Sequence, residues 1–87
     1  MSEKSRHLVE SRLARIEGHI HAVHRMAHEG RSYPEIVHQI SAIRSSLDAA
    51  VQAIVDDLVR SCIHDASGNE SIASTVEELQ AVVASAL

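Results

Sequence analysis

Two arginines near the start of the sequence have the type and spacing needed to bind neighbouring phosphate groups. Arg12 and Arg15 are three residues apart, so on a helix their guanidinium groups point the same way. The planar guanidinium matches the geometry of phosphate oxygens, and such contacts give an affinity that falls steeply with salt. Lys4 and His19 lie on the same flank of the helix. The alternative is an ordinary solvated basic face.

The other flank of this helix carries three imidazoles whose spacing suits a metal ion. His21, His24 and His28 have i, i+3 and i+7 spacing, and Glu17 lies about one turn before them. Imidazole ligands suit zinc, nickel or copper(II). A surface histidine cluster is the alternative, because zinc sites gather ligands from more than one element and a single helix rarely presents three at good geometry.

Cys62 and His64 form a second candidate metal site, near the end of the longest apolar pattern. Positions i and i+2 of a helix face different sides, so these side chains are poor joint ligands. Cys62 also lies four residues after Leu58 on the apolar seam. A buried, inert thiol is therefore the alternative.

The composition excludes several classes of protein. With 87 residues the chain is one domain at most, and its single cysteine excludes an internal disulfide and indicates a reducing, cytosolic setting. No apolar run approaches the ~20 residues of a membrane helix. Because there is no Gly-rich phosphate loop, no paired carboxylates and no base beside a nucleophile, we do not expect an enzyme. A chain this short is marginally stable alone, which favours oligomerisation.

Charge is unevenly distributed along the chain. Residues 1–31 contain six Lys and Arg against four Asp and Glu, a balance of +2, whereas the remainder contains two Arg against eight acidic residues, a balance of -6. The total of -4 by itself argues against nucleic-acid binding. The asymmetry nevertheless indicates that the basic N-terminal part faces a polyanion.

Three amphipathic helices must position these side chains, and the apolar spacing predicts them at about 5–28, 33–64 and 70–86. The middle helix is too long to bury its apolar seam against its two shorter neighbours. The sequence therefore predicts an all-α dimer or tetramer whose long helices pack across subunits. A fraying helix end is the alternative.

Turn-forming and capping residues predict the ends of these helices. Gly30 is expected to end the first helix with a positive φ. The capping box Ser32-x-x-Glu35 is expected to begin the second, with Pro34 in its first turn. A loop is expected over Ala66-Ser67-Gly68-Asn69.

Two motifs resemble those of the CsoR/RcnR family of bacterial metal- and stress-sensing repressors. The segment Arg-Leu-Ala-Arg-Ile-Glu-Gly-His-Ile, from Arg12 to Ile20, resembles the family's opening R-x-x-[RK]-[IV]-x-G-[QH]. The segment from Gln39 to Leu47 resembles its Q-I-[AS]-A-[VI] pattern. The resemblance covers about residues 8–65 without a gap, and the third helix agrees in length.

This resemblance implies a single domain over residues 1–87, folded as a three-helix protomer with a long second helix. It also implies that four protomers assemble as a dimer of dimers and that the protein is cytoplasmic. The family represses transcription by binding double-stranded operator DNA through a basic surface. Arg12 and Arg15 stand at the positions that match its DNA-contacting pair, and Lys4 and Arg44 are further candidates. Effector binding shifts the tetramer away from its DNA-competent form.

The effector site departs from the family's pattern. Family copper sensors use a Cys at the start of the second helix and a His and a Cys near its end, and the matching residues here are Tyr33, Leu58 and Cys62. Only the last keeps a metal-ligand side chain, so copper(I) is not expected. The family's persulfide sensors need two cysteines, and this chain has one. Its formaldehyde sensors need the first Cys and an N-terminal Pro, and this chain has neither.

We therefore predict a DNA-binding repressor that responds to an effector other than copper(I). One alternative is a nickel, cobalt or zinc sensor with rebuilt ligands, drawn from Cys62, His64, His38 or the three histidines of the first helix. Another is a helical scaffold protein without sensing or DNA binding, an interpretation that Glu17 inside the basic motif favours.

Overall fold

The computed structural model describes residues 1–66 and 72–86 and contains three α-helices in that part of the chain. These are α1, Glu3–His28, α2, Tyr33–Ala66, and α3, Ile72–Ala86. The described residues include no strand. The all-α prediction with a long second helix is confirmed.

α1 begins two residues before its predicted start because Ser2 caps it. The Ser2 hydroxyl oxygen accepts a hydrogen bond from the backbone N–H of Ser5 at 3.1 Å, and the Ser2 carbonyl accepts one from the N–H of Arg6 at 2.9 Å. Serine in this position satisfies N–H groups that the first turn of a helix leaves unpaired. The apolar spacing used for the prediction begins only at Val9, so it did not register this first turn.

Gly30 ends α1, as the sequence predicts, with a φ of 73°. The Gly30 N–H donates to the carbonyl of Ala27, and the Arg31 N–H donates to the carbonyl of Met26, both at 3.1 Å. This pair of bonds is a Schellman motif, which satisfies carbonyls at the end of the helix. A side chain at a positive φ would be strained, so the turn requires glycine.

Ser32 caps α2, and the turn before the helix is stiffened by an ion pair. The N–H of Glu35 donates to the Ser32 hydroxyl at 3.4 Å, and the Glu35 carboxylate accepts from that hydroxyl at 3.2 Å. The other carboxylate oxygen accepts from Nε of Arg31 at 2.9 Å. These bonds, with the Arg31 bond as the larger cause, hold the pKa of Glu35 below its ordinary value.

α2 extends two residues past its predicted end, since it reaches Ala66. Ala66, predicted as the first residue of a loop, is therefore helical, and no glycine or proline lies between Pro34 and Gly68 to stop the helix earlier. The rest of that predicted loop, and the first two residues of the predicted third helix, lie outside the described residues. α3 itself begins at Ile72 and ends at Ala86.

Residues Met1–Val51 form a first compact unit, in which α1 runs antiparallel to the first part of α2. The order of the contacts shows the direction, because His19 pairs with Gln39 whereas Arg12, earlier on α1, lies beside Ser46, later on α2. A four-residue connection, from residue 29 to residue 32, is typical of neighbouring antiparallel helices.

The apolar core of the first unit is thin. Ile16 and Val23 are each 6% exposed, and Ala50 is also buried. Many other large apolar side chains of this unit stay well exposed, among them Leu8, Leu13, Ile20, Val37, Ile40, Leu47 and Val51. The first unit therefore leaves many of its large apolar side chains in contact with solvent.

Residues Gln52–Leu87 form a second compact unit, which contains the end of α2 and α3. Leu58 and Cys62 are half-buried there, whereas Ile63 is 68% exposed. Val59, Val76 and Val83 are also exposed. Within the described residues, no helix has the length and apolar character needed to span a bilayer.

Candidate functional site

A basic depression lies on the first unit, between α1 and α2. Arg12, Arg15, Ile16 and His19 line it from α1, and Ser46 and Ala49 line it from α2. Its volume is about 280 Å³, which leaves room for a hydrated anion because one water occupies ~30 Å³ in the liquid. The sequence prediction that Arg12 and Arg15 share a face is confirmed by this common lining.

Helical periodicity explains which α1 residues meet in the basic depression. Positions separated by three or four residues lie on one face, so Arg12, Arg15 and His19 follow one another along a single stripe. On α2, Ser46 and Ala49 are related by the same spacing. Their small side chains leave open the space that larger ones would fill.

A side-chain hydrogen bond joins the two helices beside the basic depression. His19 Nε2 and Gln39 Oε1 are 2.7 Å apart, and both residues are half-buried. Because Gln39 accepts through Oε1, His19 Nε2 carries the proton. The bond fixes the imidazole of His19 and ties α1 to α2 at one end of the depression.

The charge in the basic depression is not neutralised by the residues that form it. The lining includes two guanidinium groups and no acidic side chain. The ion pairs found within the described residues, Arg6 with Glu3 and Arg31 with Glu35, lie elsewhere. Nε of Arg12 is buried, and no hydrogen-bond partner for it is found among the described residues. The two guanidinium groups therefore leave the depression positively charged.

The other two predicted DNA-binding residues do not line the basic depression. Lys4 and Arg44 are both exposed, Lys4 in the first turns of α1 and Arg44 in the first half of α2. Arg44 is two residues from Ser46, so helical periodicity turns it toward a different side of α2. Any contact they make with DNA would therefore lie beside the depression and not within it.

The residues predicted for the effector site are divided between the two units. Tyr33 is the first residue of α2, in the first unit, and is 88% exposed. Leu58 and Cys62 belong to the second unit and share a face of α2, since they are four residues apart. His64, also in the second unit, is exposed.

The described residues of one chain do not assemble a set of metal ligands. No group of three or more His, Cys, Asp or Glu side chains comes together there in a way that could hold an ion. His21, His24 and His28, together with His38, are exposed along their helices. The rebuilt metal site considered from the sequence is therefore not assembled within the described residues of one chain.

Sequence reasoning missed the contribution of α2 to the basic depression. Ser46 lies inside the segment that resembles the family's second motif, and Gln39 begins that segment. A signal was present, because Gln39, Ala42, Ser46 and Ala49 are spaced as one face of small and polar residues. Serine and alanine carry no charge, so this face did not stand out beside the arginines.

Comparisons with known proteins agree on one family. The family described as metal-sensitive transcriptional repressor matches the chain over residues 5–85. Among solved structures, the nickel-responsive transcriptional regulator InrS is similar, with a TM-score of 0.78 and 34% sequence identity over 100% of this chain and 94% of the other. No curated protein sequence matches the chain.

Proposed function

The chain belongs to the metal-sensitive transcriptional repressor family, of the CsoR/RcnR type, and on that basis we propose that it represses transcription by holding operator DNA against the basic depression. The family's members are regulators of transcription and not enzymes, which confirms the prediction that the chain is not an enzyme. Arg12 and Arg15 bind backbone phosphates in this proposal.

The observation that carries the proposal is the uncompensated positive charge of the basic depression. Its lining includes two guanidinium groups and no acidic side chain. Guanidinium groups without an acidic neighbour attract an anion. DNA phosphates supply that anion, and Lys4 and Arg44 add contacts at the margins.

Binding to a duplex from the protein's own promoter region tests this proposal. Fluorescence anisotropy at low salt should detect binding by the wild type, and Arg12→Ala should weaken it about tenfold, as expected for a lost hydrogen bond to a charged group. Arg6→Ala is the matched control, because it removes the same charge from an exposed position that does not line the basic depression. Equal losses in both variants would contradict the proposal.

The effector in this proposal is not copper(I). The three positions that match the family's copper ligands hold a tyrosine, a leucine and one cysteine, namely Tyr33, Leu58 and Cys62. A phenol is a poor ligand for a soft ion at neutral pH, and leucine is none. Copper(I) added to the reduced protein should therefore leave its affinity for the promoter duplex unchanged.

Nickel, cobalt or zinc is the alternative effector, supported by the similarity to a nickel-responsive regulator. Cys62 and His64 would be the first ligands to test, with further ligands supplied by a second copy of the chain, since the described residues of one chain do not complete the set. Calorimetric titration of each metal into the reduced protein should then show tight binding that Cys62→Ala weakens by tenfold or more. Binding no tighter in wild type than in Cys62→Ala would exclude this alternative.

The functional protein in this proposal is a cytoplasmic dimer of dimers in which residues 1–87 act as one domain. Its support is the apolar surface of each unit, where side chains such as Val37, at 61% exposed, and Ile63 remain in contact with solvent. Exposed apolar surface of this extent is typical of subunit interfaces. Sedimentation equilibrium should give about four times the 9.5 kDa mass of the chain.

A further inference from the structure

We infer that His24 and His28 form an open metal site on the surface of α1, in which two imidazoles hold one divalent transition-metal ion per chain and water fills the remaining positions. This pair of histidines includes none of the residues that match the family's effector site, and it does not line the basic depression. Neither its ligands nor its location depends on the proposed function.

The two histidines have the spacing at which one helix presents two imidazoles to the same ion. His24 and His28 are four residues apart in α1, so their Cβ atoms lie roughly 5–6 Å apart on one face. This H-x-x-x-H spacing is the one that helical zinc sites use for two histidine ligands. Both side chains are exposed, so an ion can reach them from solvent. No third ligand joins them, because the described residues bring no group of three together that could hold an ion.

The surroundings of the pair do not oppose a cation. Among the described residues, neither imidazole takes part in a hydrogen bond or an ion pair, whereas that of His19 is bonded to Gln39. His28 lies in the last turn of α1, where the carbonyl end of a helix carries partial negative charge. The neighbouring side chains of Arg25 and Glu29 are both exposed and of opposite charge, so together they add no net charge.

The donor atoms identify the class of ion. Imidazole nitrogen suits nickel, copper(II) and zinc, whereas magnesium and calcium prefer oxygen ligands. At ~100° per residue, His24 lies roughly 180° and His28 roughly 140° around α1 from Arg15. A bound ion would therefore lie on the side of α1 that faces away from the basic depression.

Calorimetric titration of nickel(II) into the full-length Cys62→Ala protein tests this pair, because that background removes the thiol of the alternative effector site. His24→Gln and His28→Gln each remove one imidazole and leave a polar side chain that favours a helix. His7→Gln is the matched control, since it removes an exposed imidazole from the same helix about 25 Å away. His21→Gln tests for a third ligand, and circular dichroism verifies that each variant is folded.

The pair predicts that one nickel ion binds per chain and that an excess of magnesium does not displace it. His24→Gln and His28→Gln should each weaken nickel binding at least about tenfold, whereas His7→Gln and His21→Gln should change it by less than about twofold. Because nickel(II) is paramagnetic, the imidazole NMR signals of His24 and His28 should broaden before those of the other histidines.

Other results would overturn the site. Equal losses in His7→Gln and His24→Gln would mean that nickel binds surface histidines without selection. A loss in His21→Gln as large as that in His24→Gln would contradict a site of two imidazoles, and one ion per two chains would contradict an open site completed by water. Absence of nickel binding in Cys62→Ala, with tight binding in the wild type, would assign the ion to the effector site and not to the pair.

Discussion

The two units of the chain differ in how completely each builds its candidate site. The first unit, Met1–Val51, brings Arg12, Arg15 and Ser46 together within one hairpin of helices. The second unit, Gln52–Leu87, holds Leu58 and Cys62 without Tyr33, and the described residues offer no complete set of metal ligands. The comparison indicates that the candidate DNA-contacting residues meet within one hairpin of helices, whereas the candidate effector residues are divided between the two units.

The largest expected effect comes from removing both arginines of the first unit. Arg12→Ala combined with Arg15→Ala should weaken binding to the promoter duplex about a hundredfold, since each lost contact to a phosphate costs about tenfold. Fluorescence anisotropy at constant salt measures this loss. If the double variant bound like the wild type, the basic depression would not be the DNA-contacting surface.

The matching change in the second unit should leave DNA binding intact. Cys62→Ala alters a half-buried side chain in a different unit from the basic depression. Without effector, its affinity for the promoter duplex should stay within about twofold of the wild type, the usual limit for independent sites. A larger loss in the same anisotropy assay would mean that the second unit contributes directly to DNA contact.

Two glycines allow a test of the hairpin that carries the basic depression. Gly30→Ala should lower the free energy of unfolding by about 1–2 kcal/mol, because Gly30 has a φ of 73°. Gly18→Ala should raise it by about 0.5–1 kcal/mol, because Gly18 lies inside α1 and a Cβ there would meet no atom within 4 Å. Chemical denaturation measures both values.

The stability of Gly18→Ala also reports on whether a second copy of the chain packs beside α1. A lower stability of Gly18→Ala would show that a second copy of the chain occupies the space beside this residue. An unchanged stability of Gly30→Ala would contradict the Schellman turn at the end of α1.

The smallest expected effect concerns the ion pair between Arg31 and Glu35. In the folded protein the pKa of Glu35 lies below its ordinary value. The ion pair therefore stabilises the fold fully when the pH is above the ordinary pKa of a glutamate. This stabilisation is lost as the pH falls through the lowered pKa of the folded protein. Wild type should therefore lose slightly more stability than Glu35→Gln between pH 7 and roughly pH 3. Both groups are exposed, which keeps the difference small.

Thermal unfolding across this pH range checks the prediction, with Glu10→Gln as a control of equal charge change on α1. A wild type that lost less stability than Glu35→Gln in acid would contradict the sign. An effect of Glu10→Gln as large as that of Glu35→Gln would assign the difference to net charge and not to the ion pair.

Features of the fold that depend on interactions between residues close in sequence could be predicted from the sequence. The end of α1 at Gly30 and the cap of α2 at Ser32 follow from residues within one turn of each other, and both are confirmed. The shared face of Arg12 and Arg15 follows from a spacing of three residues.

Features that depend on packing between elements were not visible in the sequence. The burial of Nε of Arg12, and the meeting of Ser46 with the arginines, arise only when α1 and α2 lie side by side. The pairing of His19 with Gln39 joins residues that are 20 positions apart. Periodicity assigns each residue to a face of its own helix, but it does not say which faces meet.

The salt dependence of binding to the promoter duplex tests the central claim most directly. The logarithm of the binding constant should fall linearly with the logarithm of salt concentration, and the slope should become shallower by about 0.9 for each phosphate contact that Arg12→Ala removes. Arg6→Ala should leave the slope as it is in the wild type. A slope that Arg12→Ala leaves unchanged, or that both variants lower equally, would contradict phosphate binding in the basic depression.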